Sequence, residues 1–460
     1  MPHASPAASD LRRLTRRLLA IDAGELPAPV VDRVRLCLLD MVACSLEAAD
    51  LPWSRQAHAV AAAQGAHGVA GVIGSDLRTS AAEAAFVNGV QAHGLVREDM
   101  HPPSTSHIGV VVLPAALAMA EAEDADGAAF VAAVVAGYEA MGRLGRVVVD
   151  RQSARVFRPT AWIGPFGAAM AASRLLRLDE SQAIHAAAFA CNQAAGLNQW
   201  AYAMSTEVFF HAGFAARGGI TAALLASQGA VGAESTLEGP AGLVAALGGR
   251  ERLPLFAQDA AAPLEIEHVY FKPAPVCHFA QTPCQVAARI AETAPLSPEA
   301  VERVEVRVSA AAAGYPGCDN RSRIDALLAA KSSIQHGVAL ALLHGIPDEA
   351  RVRDFADARV ARLRQRIDVR VDDDLTRASP KAEGAAIAVH RRDGTQHFES
   401  ADSIVPLDDA GVLTRFRDTA TRHLGAEAAA AIEDLTADLR AVRSIRDLTR
   451  LFQTPTRRLP

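Results

Sequence analysis

Residues 126–149 read DGAAFVAAVVAGYEAMGRLGRVVV, and the spacing of their apolar side chains decides the fold class. Apolar residues recur at helical intervals, and Asp126 stands where a side-chain oxygen caps a helix start. Working outward, GPFGAAMAASRLLRL (164–178) and ESQAIHAAAFACNQAAGL (180–197) carry the same period. Both are rich in Ala and Gly, which suits helices packed closely inside a large bundle. A helix this apolar is a buried one sooner than a membrane span. The pattern stays helical nearly throughout from about residue 10 to 265.

After Pro263 the character changes. VERVEVRV (301–308) puts Val304, Val306 and Val308 on one face, the alternation of a half-buried strand, and RIDVRV (366–371) repeats it with Ile367, Val369 and Val371. GAAIAVHRRDGTQHFES (384–400) reads as a hairpin turning at Asp393-Gly394. SSIQHGVALALLHG (332–345) is an apolar helix between strands. The chain then returns to helices and ends in IEDLTADLRAVRSIRDLTRLF (432–452), expected to be one amphipathic helix packed back on the body. The expected fold is mainly α: an all-helical domain from residues 10–265 and 406–460, a smaller α+β domain at 266–405, and a flexible terminus at 1–9.

The chain has 460 residues, half of them hydrophobic and 21% charged, with a net charge of -6. That is a soluble profile, and no basic surface invites a nucleic acid. No run of eighteen apolar residues appears, and the first residues lack the apolar core of a signal peptide. The six cysteines are dispersed, with no zinc spacing. A cytoplasmic protein with reduced thiols is expected, with no membrane partner. Nucleotide chemistry has no footing, since neither a P-loop nor a Gly-x-Gly-x-x-Gly follows a strand.

The chemistry concentrates in REDMHPPSTSH (97–107), where His101 and His107 bracket Pro-Pro and three hydroxyls beside Glu98 and Asp99. Histidine titrates near working pH, so His107 and His101 are candidate acid-base groups and Asp99 their orienting carboxylate. The plain alternative is a loop whose Ser104, Thr105 or Ser106 caps a helix beginning near His107. Two histidines six apart in a Pro-broken loop have no metal geometry, so no metal is expected. In VFRPTAWIG (156–164), Arg158 precedes a Pro-Thr helix start and suits a carboxylate clamp, or is simply a surface arginine. His211 sits in the small-residue helix VFFHAGFAARGG (208–219), where a core role is the simpler reading. FKPAPVCHFAQTPC (271–284) brings Lys272, Cys277, His278 and Gln281 to the interdomain junction, a place for a cleft or a plain hinge.

Taken together, AAFVNGVQAHGL (84–95), the run from His107 to Gly145, AGFAARGGITAALLASQGAVGAESTLEGPAGL (212–243) and KPAPVC (272–277) resemble the MmgE/PrpD family. The resemblance implies a helical domain with an α+β lid, an active site in the cleft between them, and a homodimer. It also implies small di- and tricarboxylic substrates and neither metal nor organic cofactor. Against the family's first loop, this chain has His93, Gly94, Leu95, Val96, Arg97, Glu98, Asp99 and Met100, then Ser104 and His107. Val96 stands where the resemblance implies an acid and Met100 where it implies threonine. Arg158 takes a histidine's place, Val208 a lysine's, Gln281 a second histidine's, and His336 that of the lid tyrosine. No lysine precedes Lys272 at all; the other two are Lys331 and Lys381.

A dehydratase needs a base and cations to hold the growing enediolate, and each lost donor typically costs about 10²–10³ in rate. Three readings follow. The first is an active enzyme with a rewired pocket, in which His107 and His101 move protons, Asp99 orients one of them and Arg158 holds the anion. Ser104, His211, Lys272, His278, Gln281 and His336 contribute to binding, and the reaction is dehydration, isomerisation, epimerisation or cyclisation of an atypical small molecule. The second is a conventional di- or tricarboxylate lyase. The third is a catalytically silent paralogue that keeps the fold for binding or assembly.

Overall fold

The computed structural model describes residues 9–453 except 66–67, 151, 257–262, 295 and 323. Of the terminus expected to be flexible, residues 1–9, the first eight lie outside the described residues, as do the last seven residues of the chain. The chain is mainly α with a small mixed sheet. The first helix, α1 (Asp10–Leu19), is capped by the Ser9 hydroxyl accepting the Arg12 amide. There follow α2 (Ala28–Ala48), α3 (Ala81–His93), α4 (Gly109–Ala122), α5 (Gly127–Val148), α6 (Pro159–Leu175), α7 (Glu180–Cys191) and α8 (Glu207–Ser227).

Asp126 caps α5 by accepting the Ala129 amide at 2.8 Å. The Ala/Gly-rich sequences pack as tightly as their composition implies. A side chain at Gly89 of α3 would lie 3.0 Å from the Gly213 backbone of α8, so these two helices touch through bare backbone. α8 is long and apolar enough to cross a membrane by length and composition. Most of it is nonetheless buried, packed on α3, α6 and α7.

The sheet-bearing unit contains α9 (Gln281–Thr293), β1 (Val301–Val308), α10 (Ile334–His344), β2 (Ile367–Val371), β3 (Ala385–Arg391) and β4 (Gln396–Ala401). Its strand order is β2-β1-β3-β4, with β1 and β2 parallel and the other pairs antiparallel. Val304, Val306 and Val308 are buried together, and Gly394 turns the hairpin at φ +84°. The alternation is less regular in β2: Ile367 is buried but Val371 lies exposed at the sheet's outer strand. α9 and α10 pack on each other and on the sheet, so this unit has its own apolar core.

The return to helices gives α11 (Asp409–Leu424), α12 (Ala426–Ala437) and α13 (Ile445–Leu451). The final segment is therefore not one helix. It breaks at Asp438, because the Val442 carbonyl leaves the helical ladder to accept the Gly127 amide at 2.7 Å and Ser444 caps a new start. Leu439, Val442, Ile445 and Leu448 still pack into the main helical core.

The two chain crossings between units run side by side. Met100 pairs with Tyr270, and Phe271 with Leu407, as short antiparallel bridges. A third apolar cluster spans the units, joining Trp53, Val96, Trp200, Val208 and Phe209 to Leu328 of the sheet-bearing unit.

Candidate active site

A cavity of about 70 Å³ lies where the two units meet. The helical body contributes Val96, Met100, Thr105, His107, Arg158, Trp200 and Val208; the smaller unit contributes Cys277, His278, Phe279, Tyr315, Leu328, Lys331 and Ser332. A larger depression of about 570 Å³ over the hinge, lined by Arg33, Phe271, Pro406 and Asp409 among others, holds none of the histidines discussed below.

The loop after α3 is built by close contacts. Gly94 admits no side chain, since a Cβ there would lie 2.8 Å from the Trp53 indole nitrogen. Val96 adopts φ +56°, a left-handed conformation that β-branched residues rarely take and that costs about 1–3 kcal/mol. The turn presents two successive carbonyls to the lid: Leu95 accepts from Lys331 Nζ at 2.7 Å, and Val96 from Lys272 Nζ at 2.8 Å. Both junction lysines thus come from the smaller unit and are bound to backbone carbonyls of the helical body.

His107 lines the cavity. Its backbone amide is held by the Thr160 hydroxyl at 3.0 Å, and its Nδ1 lies 3.0 Å from the Asp99 carbonyl oxygen. A carbonyl only accepts, so Nδ1 carries the proton and Nε2 keeps its lone pair. Nδ1 is also 3.1 Å from Glu98 Oε1. That same carboxylate oxygen accepts from His93 Nδ1 at 2.6 Å, which leaves His93 Nε2 to accept from Arg158 at 3.2 Å. The donors and acceptors therefore run one way, from Arg158 through His93 to Glu98, with His107 on the same oxygen. Burial, then the nearby Lys272 and Arg158 charges, hold His107 well below the usual histidine range. Burial would raise Glu98, but His93 and Lys272 outweigh it and keep the carboxyl below its ordinary value. The site at rest is a neutral base beside an ionised carboxylate and a guanidinium.

Asp99 does not line the cavity. Its Oδ2 accepts from Tyr138 at 2.9 Å, and its carbonyl sets the His107 ring. A Cβ at position 109 would strike its carboxyl, so the helix opens on glycine. Burial pushes Asp99 up to about 7, against an unfolded value near 3.9. Between about pH 4 and 7 the folded protein holds a proton that the unfolded chain has released, so rising pH costs stability across that window. Asp99→Asn, which does not titrate, is expected to gain stability over the parent by up to about 1.4 kcal/mol per pH unit through the window. Thermal denaturation from pH 4 to 8 measures this. kcat is expected to stay within about tenfold; a loss as large as that of His107 would make the carboxyl itself catalytic.

His101 and Ser104 belong to a neighbouring polar cluster. His101 Nδ1 meets the Ser104 hydroxyl at 2.7 Å and its Nε2 lies 2.9 Å from Glu265, which Arg146 also pairs. Neither residue reaches the cavity. Nor do the loop's hydroxyls cap the next helix: α4 begins after Ile108 with no side-chain cap, because Ser104 and Ser106 bond each other and Thr160 takes the His107 amide.

Arg158 sits at the start of α6, its guanidinium 5.7 Å from the Trp200 ring. His211 is buried near Arg158 and His93; burial first, then the Arg158 charge, brings it to about 3. His278 lines the cavity, bonded to the Tyr270 hydroxyl at 2.6 Å, and burial lowers it to about 4. Lys272 is buried behind the lining. Gln281 clasps the backbone of Ala274 and Val276 and His336 lies beside Arg364, so both are inside the lid and outside the cavity. Tyr315, and not His336, stands on the wall. Cys277 faces Cys318, sulfur to sulfur at 3.5 Å; that contact and nearby backbone amides lower its thiol.

Among the described residues no group of three or more His, Cys, Asp and Glu side chains is placed to hold a metal ion. Glu98, His93, Lys331, Trp200 and Tyr315 are the contributors that sequence reading left unassigned. Glu98 stood inside the quoted loop, and the scarcity of lysine was the one available signal for Lys331.

A helical body and a mixed-sheet unit enclose a histidine-carboxylate-arginine cluster whose groups are able to give and take protons. Residues 12–255 match the MmgE/PrpD N-terminal domain and residues 274–441 the MmgE/PrpD C-terminal domain, and the chain belongs to this family. It is similar to the cis-aconitate decarboxylase-like protein oryM of Aspergillus oryzae, with 31% identity over 242 residues, 51% of this chain and 50% of that protein. The cis-aconitate decarboxylase of Aspergillus terreus is 28% identical over 220 residues, 46% of this chain and 45% of that one. The Homo sapiens cis-aconitate decarboxylase is 34% identical over 172 residues, 36% of this chain and 35% of that one. The matches span half or less of these relatives' lengths.

Proposed function

We propose that this protein is a lyase or isomerase of the MmgE/PrpD type that moves protons on a small carboxylic acid without metal or organic cofactor. The observation that carries this reading is the neutral His107, its Nε2 unprotonated, on a cavity wall shared with Arg158. Arg158 holds a carboxylate, His107 Nε2 takes the proton beside it, and the guanidinium stabilises the enediolate as charge grows. The imidazolium formed is held by Glu98, 3.1 Å from Nδ1. Returning that proton to a different atom gives isomerisation; delivering it to a departing hydroxyl gives dehydration.

A second reading, decarboxylation of a tricarboxylate, is favoured by the names of the relatives. Incubation in deuterated water with cis-aconitate, citrate, 2-methylcitrate and a set of simpler acids, followed by NMR, tests both. Hydrogen exchange or turnover that disappears in His107→Ala is the expected result. Carbon dioxide release from cis-aconitate would favour the decarboxylase, and silence of the wild type across the set would overturn the acid-base reading.

We further propose a homodimer in the cytoplasm. The free cysteines fit a reducing compartment. On α8, Phe214 (50% exposed), Leu224 and Leu225 form an uncovered apolar face continued by Val231, the kind of patch that a second copy covers. Light scattering is expected to give twice the chain mass, falling to one chain in Phe214→Glu.

A further inference from the structure

We propose that the cavity is built for a small acid carrying one carboxylate and a short apolar body, not for a tricarboxylate. This rests on the acid-base reading of the same site and names its substrate class. The charges around the cavity decide it. Lys331 lines the wall, but its ammonium is fully engaged by the Leu95 and Pro275 carbonyls and by Glu349. Lys272 is buried behind the lining with its Nζ on the Val96 carbonyl. Arg158 is the remaining cation among the described lining residues: one nitrogen reaches His93, the guanidinium also meets the Tyr315 hydroxyl, and its Nε is buried with no partner.

Most of the other wall is apolar, formed by Val96, Met100, Trp200, Val208, Phe279 and Leu328. At about 70 Å³ the space holds roughly five to seven water-sized groups. One carboxylate on Arg158 fills the polar end, and a branched alkyl or alkenyl group fills the rest. A second or third carboxylate would meet no second available cation and would stand close to the ionised Glu98, with only the neutral Thr105, Tyr315 and Ser332 hydroxyls and His278 to replace its water.

Isothermal titration calorimetry with (E)-2-methylbut-2-enoate, its neutral amide and cis-aconitate tests this on the full chain. The monocarboxylate is expected to bind at least tenfold more tightly than cis-aconitate. Arg158→Gln, its fold checked by circular dichroism, is expected to weaken the monocarboxylate at least tenfold and leave the amide unchanged. Equal or tighter binding of cis-aconitate, no binding of the monocarboxylate, or indifference to Arg158→Gln overturns the proposal. Binding is read without turnover, so the two conclusions fail separately. An idle His107 would leave the charge selectivity standing, and rapid turnover of tightly bound cis-aconitate would leave the base standing and the selectivity lost.

Discussion

His107→Ala is expected to lower kcat by about 10²–10⁴-fold while the protein stays folded, the usual contribution of a positioned general base. The backbone is held by the Thr160 hydroxyl and the ring only through Nδ1, against the Asp99 carbonyl and Glu98, so its removal takes away the base without dismantling the loop. The pH profile carries a second signature. A base works unprotonated, so the rate falls as pH drops through its pKa. Burial and the neighbouring cations place that pKa well below 6.5, and the acid limb of kcat/KM is expected below the ordinary histidine value. Steady-state kinetics over pH 4–8 gives both results. A limb centred at or above 6.5, or full turnover in the variant, would falsify the assignment.

Glu349→Leu is expected to destabilise the protein by about 3–5 kcal/mol, because it strips the counter-charge from a lysine that cannot reach water. Lys331 Nζ lies 2.7 Å from Glu349 Oε2, and their side chains are 1% and 5% exposed. Lys331→Met should cost less, about 1–3 kcal/mol, since Arg353 still pairs Glu349 at 2.9 Å. The double variant is expected to fall short of the sum, as residues in one network do. Urea denaturation of the three variants measures the order; a costlier Lys331→Met would mean that the bond to the Leu95 carbonyl, not the ion pair, dominates.

Much of this fold was legible because it follows local periodicity. The α5 repeat with its Asp126 cap, the β1 alternation and the Asp393-Gly394 hairpin are each dictated within a few residues. The break at Asp438 was not, because it depends on a carbonyl meeting Gly127, more than three hundred residues away in the chain. The site divides in the same way. His107 and Arg158 stood out by residue type and by the turns around them. That His101 faces Glu265 instead of the cavity could not be seen, since Pro102 and Pro103 hide the loop's path from any periodic reading. Glu98 went unassigned beside the more conspicuous Asp99, because adjacent carboxylates look alike until one is seen against Tyr138 and the other against two imidazoles.

The two carbonyls that receive Lys272 and Lys331 have a practical consequence. This chain has three lysines, two sealed at the junction of the units and the third, Lys381, exposed. Amine-reactive labels therefore divide the side chains into one that is always available and two that are reached only when the junction parts. The protein carries its own opening meter, with Lys381 as the internal standard.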